Sequence, residues 1–410
     1  MTQVGNKLFW IILFSMPTFA LAQKKVVFVI ADGIPADVIE KQPMPNLKAI
    51  AKQGVYLRAH VGGDKGSYNE TPTISAVGYN SLLTGTWVNK HNVWDNDIKN
   101  PNYAYKNIFR LAKEAYPGKK TAVYSSWLDN RTKLVGDHLP AAGNVAVDLH
   151  ADGFELDTAL FQHKDPLYMH LIDERVIHDA EQGIRMDAPD LSWVYLEYTD
   201  DMGHAHGDGP EFYGAVDMLD AQLGRLWKAI EYRKQQFKED WLMVITTDHG
   251  RTELDGRHHG GQSARQRNTW IVMNIPVNNY AKFYQPGIVD IMPTIARFLQ
   301  IPIPAETLYE VDGIAMTGKV SVTTPVLNLF QGKLDISWHA LDSSGSVKIL
   351  VSTVNSFKEG GKDIYKVLAE VPVISEHITI DVSKLPSDFY KVVLEAKYNC
   401  SNAWWVVKKQ

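Results

Sequence analysis

The sequence predicts an α/β fold, a mainly parallel sheet flanked by helices, followed by a C-terminal β-sandwich of the fibronectin type III or immunoglobulin kind. Three observations carry this reading: apolar β-branched runs that end in acids, stretches of helical period between them, and a change of texture near residue 320.

The run KKVVFVIADG ends in Asp32-Gly33 and reads as a strand buried on both faces. KTAVYSSW (Lys120 to Trp127), LSWVYLEYTD (Leu191 to Asp200) and WLMVITTDHG (Trp241 to Gly250) repeat the pattern, the last two again ending in acids. Between them YKNIFRLAKEAY and EFYGAVDMLDAQLGRLWKAIEY read as helices. In the second, Phe212, Val216, Leu219, Leu223, Leu226 and Ile230 recur at three- and four-residue steps, which is one apolar face. After PGIVDIMPTIARFLQIPIP the helical period stops. KLDISWHAL, SVKILVSTV, HITIDVSKL, YKVVLEAKY and NAWWVVKK then read as short strands of a sandwich, with TGKVSVTTP as the linker. The expected organisation is a signal peptide over 1–22, an α/β domain over 23–318 and the sandwich over 319–410.

The chain has 410 residues, 45% hydrophobic and 22% charged, which is ordinary globular composition at a length that exceeds one core. A net charge of −5 argues against a nucleic-acid-binding surface or an anionic-membrane binder, both of which need a basic face. The opening MTQVGNKLFWIILFSMPTFALAQ has a lysine, an apolar run from Leu8 to Phe14 and small residues at Ala20 and Ala22, the pattern of a cleaved secretory signal. No later stretch approaches the roughly 20 apolar residues of a membrane span, so the expectation is an exported protein, periplasmic or secreted, with no transmembrane segment. The lone cysteine, Cys400, allows no internal disulfide, which leaves core size or bound metal to hold an exported chain together.

The stretch YTDDMGHAHG packs two carboxylates and two histidines behind a strand. Buried charge is costly unless it is paired or bound to metal. Asp32, Asp200 with His204, Asp248-His249, and the pair His258-His259 all belong at the carboxyl edge of one parallel sheet, where such folds bind ligands. Together they offer enough nitrogen and oxygen donors for two zinc ions, which can clamp the attacking and leaving oxygens of a displacement at phosphorus. NETPTISAVGYNSLLTG opens a helix whose N-terminus favours anions, and Thr71, Thr73, Ser75 and Ser81 are its candidate nucleophiles. The same residue types are what helix caps prefer.

The ordered set VFVIADG, SAVGYNSLLTG followed by HNVWDN, YTDDMGH, TTDHG and HHGG resembles the alkaline phosphatase superfamily, specifically its nucleotide pyrophosphatase/phosphodiesterase branch, over roughly residues 25 to 315. The resemblance implies an alkaline phosphatase-like domain in which Asp32, Asp248 and His249 hold one zinc and Asp200, His204 and His259 the other. It implies Ser75 as the zinc-bound nucleophile and Asn96 as a phosphate contact, and it places Arg131 and Lys133 where related phosphomonoesterases keep basic substrate contacts. One departure is Ala76-Val77-Gly78, where the branch carries an aromatic-Pro-Asn sequence after its nucleophile. The function expected is an exported two-zinc hydrolase of phosphate esters acting through a phosphoserine, namely a nucleotide pyrophosphatase/phosphodiesterase whose substrate is a small phosphate ester or nucleotide. The alternatives are an alkaline phosphomonoesterase and, from another class, a non-catalytic protein that associates with a surface or carbohydrate through its sandwich.

Overall fold

Seven strands make the first sheet: β1 (Lys24–Ala31), β2 (Val55–His60), β3 (Thr121–Ser125), β4 (Leu149–Ala151), β5 (Leu191–Leu196), β6 (Asp240–Thr246) and β7 (Asn268–Met273). The computed structural model describes residues 22–407, so the expected signal peptide lies outside the described residues except for Ala22. The strand order is β2-β7-β6-β1-β5-β3-β4. β1 runs parallel to β5 and β6, and β3 parallel to β4 and β5, while β7 is antiparallel to both of its neighbours.

Alternate residues of β1 serve two cores. Val26, Phe28 and Ile30 pack with helices Ser75–Thr84, Ile108–Ala115 and Ile291–Leu299 on one face. Val27, Val29 and Ala31 pack with Tyr168–Met186 and Pro210–Phe237 on the other. That is the period of two expected of a strand covered on both sides. Ile30 stands opposite Tyr195 of β5 and Thr246 of β6, so the three central strands end level and release Asp32, Asp200 and Asp248 at one edge.

β8 (Val322–Phe330), β9 (Lys333–Ala340), β10 (Ser346–Ser352), β11 (Lys366–Pro372), β12 (His377–Asp381), β13 (Phe389–Ala396) and β14 (Cys400–Val406) form two antiparallel sheets, β11-β10-β13-β14 and β12-β9-β8. They close on Leu334, Ile336, Trp338, Ile349, Val392 and Leu394. Burial pushes the Cys400 thiol up to about 12, which favours its protonated form.

Several elements differ from the sequence reading. The strand read as Leu191 to Asp200 ends at Leu196, and YTDDMGHAHG is mostly helix, Tyr198–His206. The last four residues of the expected linker, Val322 to Pro325, are the start of β8, and Pro325 lies at a register shift between Thr323 and Val326. Proline within a strand disguises it. β2, β4, β7 and β11 were not expected. β4 has three residues, and β2 and β11 are half-buried outer strands that lack a continuous apolar run. Among the described residues no helix is long and apolar enough to cross a membrane.

Candidate active site

The carboxyl edge of the sheet gathers the acids and histidines in two groups. Asp32, Asp248 and His249 each offer a ligand atom within 4.8 Å of the others, and so do Asp200, His249 and His259. His249 stands at the junction of both, whereas the family pattern gives it to one. His204 joins the second group, its Nε2 lying 3.2 Å from Asp200 Oδ2 and 3.0 Å from His259 Nε2. His258, by contrast, is exposed and faces Asp255.

Backbone carbonyls set the tautomers. His249 Nδ1 donates to Gly250 O at 3.0 Å and His259 Nδ1 to Thr73 O at 2.9 Å, which leaves both Nε2 atoms as lone-pair donors aimed into the site. His249 Nε2 is 3.3 Å from Asp32 Oδ1 and 3.3 Å from Asp248 Oδ2. Those two carboxylate oxygens are buried and have no hydrogen-bond partner among the described residues. Burial disfavours charge on His249, yet Asp248 and Asp32 outweigh it and push its pKa up to about 9. Burial and the neighbouring Asp32 hold the Asp248 carboxyl well above the usual range. Converging orphan oxygens and lone pairs that would draw in a proton are the donor set a divalent cation fits.

Asp32 is oriented by its other oxygen, Oδ2, which accepts from Tyr79 Oη and, at 2.8 Å, from Tyr195 Oη. Thr199 Oγ1 donates to Asp32 O at 2.6 Å. Asp200 is buried, which raises its pKa, but the hydrogen bond from His204 and the charge of Arg251 carry it well below the usual carboxylate range. Arg251, Tyr79 and Tyr195 were missed by the sequence reading. Tyr79 had a signal, since it lies one helical turn after Ser75 on the same helix.

Of the four candidate hydroxyls, three are committed. Thr71 Oγ1 donates to Asn69 O at 2.8 Å, Thr73 Oγ1 to Gly261 O at 2.8 Å, and Ser81 Oγ to Val77 O at 2.8 Å. Ser75 is the first residue of its helix, and its Oγ lies 3.4 Å from His249 Nε2. Asn96 accepts from Ala76 N at 3.0 Å through Oδ1, in an exposed loop that leaves its Nδ2 available to donate. Arg131 is engaged elsewhere, bound to Asp137 at 2.6 Å and to Asp152 at 2.6 Å, and Lys133 pairs with Asp129 at 2.7 Å. Gly78 brings the helix against Asp248: a Cβ there would lie 2.8 Å from Asp248 O.

Residues 26–291 match the family model described as type I phosphodiesterase / nucleotide pyrophosphatase. A 2,3-bisphosphoglycerate-independent phosphoglycerate mutase of Mycoplasma mobile is 32% identical over 128 residues, 31% of this chain and 23% of that one. The bis(5'-adenosyl)-triphosphatase enpp4 of Xenopus laevis is 24% identical over 232 residues, 55% of this chain and 47% of its own. The chain thus spans less than half the length of these curated relatives. Human ectonucleotide pyrophosphatase/phosphodiesterase 5 shares the fold with a TM-score of 0.50 at 14% identity, over 68% of this chain and 96% of that one.

Proposed function

The chain belongs to the type I phosphodiesterase / nucleotide pyrophosphatase family, and from that membership we propose that it is an exported, metal-dependent hydrolase of phosphodiesters or nucleotide pyrophosphates that works through Ser75. The observation that carries this reading is the Ser75 hydroxyl at a helix N-terminus, 3.4 Å from the Nε2 of His249, the histidine common to both donor groups.

Asp32, Asp248 and His249 would hold one zinc ion, and Asp200, His204 and His259 the other. When bound, the two ions would supply Lewis-acid charge that eases ionisation of the hydroxyl and stabilises the oxygens on phosphorus. The chain's own groups do the rest. The free N–H groups and dipole of the Ser75–Thr84 helix favour negative charge on the Ser75 oxygen. Asn96 is fixed by its bond from Ala76 N and presents Nδ2 to a non-bridging phosphate oxygen. Tyr79 and Tyr195 hold Asp32 with its second oxygen turned to the site. Ser75 Oγ displaces the leaving alcohol or nucleotide from phosphorus, and water then cleaves the serine–phosphate ester and restores the hydroxyl.

A diester is favoured over a monoester because a dianionic phosphate rewards additional cations, and the two nominated for that purpose, Arg131 and Lys133, are neutralised by aspartates. The family description and the triphosphatase named among the relatives support a nucleotide as the substrate. The test is turnover on bis-p-nitrophenyl phosphate and a thymidine 5′-phosphodiester against p-nitrophenyl phosphate, with zinc and with a chelator. A chelator-sensitive preference for diesters is expected. Preference for the monoester would make it an alkaline phosphomonoesterase, and inactivity on all three would leave a surface- or carbohydrate-binding protein.

A further inference from the structure

Asn96 sits in a loop whose two ends are fastened to the C-terminal sandwich. At the near end, Lys90 is fully buried and its Nζ donates to Glu310 O at 2.7 Å, to Asp312 Oδ1 at 2.5 Å and to Asn402 Oδ1 of β14 at 2.9 Å. Asp312 also accepts from Trp87 N at 2.9 Å. At the far end, Asn102 Nδ2 donates to Lys358 O at 2.8 Å, and the Tyr105 ring lies 5.2 Å from the Phe357 ring. The loop is closed at its base by Asn102 N donating to His91 O at 2.8 Å and by Asn92 Nδ2 donating to Asn100 O at 2.8 Å.

The near fastening is costly to undo. Lys391 of β13, also fully buried, bonds Glu310 at 2.6 Å and Asp363 at 2.5 Å. Both lysine ammonium groups stand over the ring of Trp404, at 5.1 and 5.0 Å. Glu310 and Asp312 come from the α/β part of the chain, whereas Asp363, Lys391 and Trp404 come from the sandwich. Separating the two would strand buried charges on both sides, and an unpaired buried ion is penalised by several kcal/mol. Trp404 also stacks on Tyr68 at 5.5 Å, in the segment that leads into Ser75.

We propose that the sandwich is a positioning element of the active site: through Asn402 and Phe357 it fixes the Trp87–Tyr105 segment and thereby the place of Asn96 beside Ala76. Asn402 and Phe357 are positioning residues, since neither lies in the donor groups, and the inference rests on the reading of Asn96 as a phosphate contact given above. The alternative is a spacer whose loss affects only stability.

The experiment is a double-mutant cycle on the full chain. Asn402→Ala and Phe357→Leu, at opposite ends of the loop, are each measured for kcat and KM on a phosphodiester, alone and combined with Asn96→Ala, alongside thermal midpoints. The expected result is a loss of kcat/KM of about fivefold or more with Asn96 present that shrinks below twofold in the Asn96→Ala background. Equal losses in both backgrounds would overturn the positioning role while leaving the assignment of Asn96 standing. An unchanged kcat/KM in Asn96→Ala alone would overturn both. Phe357→Leu keeps apolar volume, so it remains informative if Asn402→Ala does not fold.

Discussion

Arg251 takes one carboxylate oxygen of Asp200 and leaves the other to the histidines. Its Nη2 pairs with Asp200 Oδ1 and also donates to Asp200 O at 2.8 Å, while its Nε donates to Gly33 O at 2.8 Å. Asp200 Oδ2 is left 3.2 Å from His204 Nε2. A fully buried guanidinium therefore ties the turn after Asp32 to the acid of the second donor group. It also supplies positive charge where four carboxylate and imidazole groups converge.

From this geometry, Arg251→Met is expected to lower metal affinity by roughly 10–100-fold, the usual effect of removing an outer partner of a ligand. Arg251→Lys should recover only part of it, because an ammonium cannot span Asp200 and the Gly33 carbonyl together. Metal retained after dialysis, measured by elemental analysis, checks this. Unchanged retention in Arg251→Met would show that Asp200 is held without the arginine.

Ser75→Ala should reduce phosphodiester turnover by about a thousandfold or more, since the helix N-terminus and donor groups remain but nothing attacks phosphorus. Metal content and thermal midpoint should stay near those of the parent chain. Thr73→Ala makes the contrast: its hydroxyl bridges Gly261 O and the Gly260 N–H, so its loss should loosen the His259 loop and lower metal retention along with activity. If Ser75→Ala kept full turnover, another group would have to be the nucleophile.

Acid stability should reflect His91. Val93 N donates to its Nδ1 at 3.1 Å, so the ring proton is on Nε2, facing Ser81 Oγ at 3.0 Å. Burial pulls its pKa down to about 3. The unfolded chain takes up a proton near pH 6.5 that the folded one refuses. The stabilisation from neutral His91 is therefore complete above pH 6.5 and is lost as pH falls toward 3, by up to ~1.4 kcal/mol per pH unit. Urea midpoints between pH 7 and 4.5 should decline more steeply in the parent chain than in His91→Gln; parallel curves would count against it.

The strand-end acids were legible because a buried parallel strand must be apolar until it leaves the sheet, so Asp32 and Asp248 mark the edge by themselves. Asp200 was legible as an acid but not as part of a helix, since its short helix is polar and draws its stability from packing and bonds such as Thr199 to the Asp32 carbonyl. Arg251 left no signal: its partners lie 51 and 218 residues away, and only the level ends of β1, β5 and β6 bring them together. Arg131 misled for the opposite reason, because an arginine near a strand end reads the same whether it meets phosphate or, as here, Asp137 and Asp152.

Gly78 sets two effects against each other, and their magnitudes decide the outcome. It lies inside the Ser75–Thr84 helix, where alanine is the better helix former by about 1 kcal/mol. A Cβ at this position, however, would sit 2.8 Å from Asp248 O and 2.9 Å from Asp248 Cβ, against backbone that cannot swing aside. Overpacking of that kind costs about 1–3 kcal/mol, and the helix would relieve it by backing away from the sheet. That motion carries Ser75 away from His249 and loosens the donor group containing Asp248. Gly78→Ala should therefore lower the thermal midpoint despite its higher propensity and cut turnover more than stability alone explains. A variant more stable than the parent with full activity would show that helix and sheet edge are not packed as closely as this.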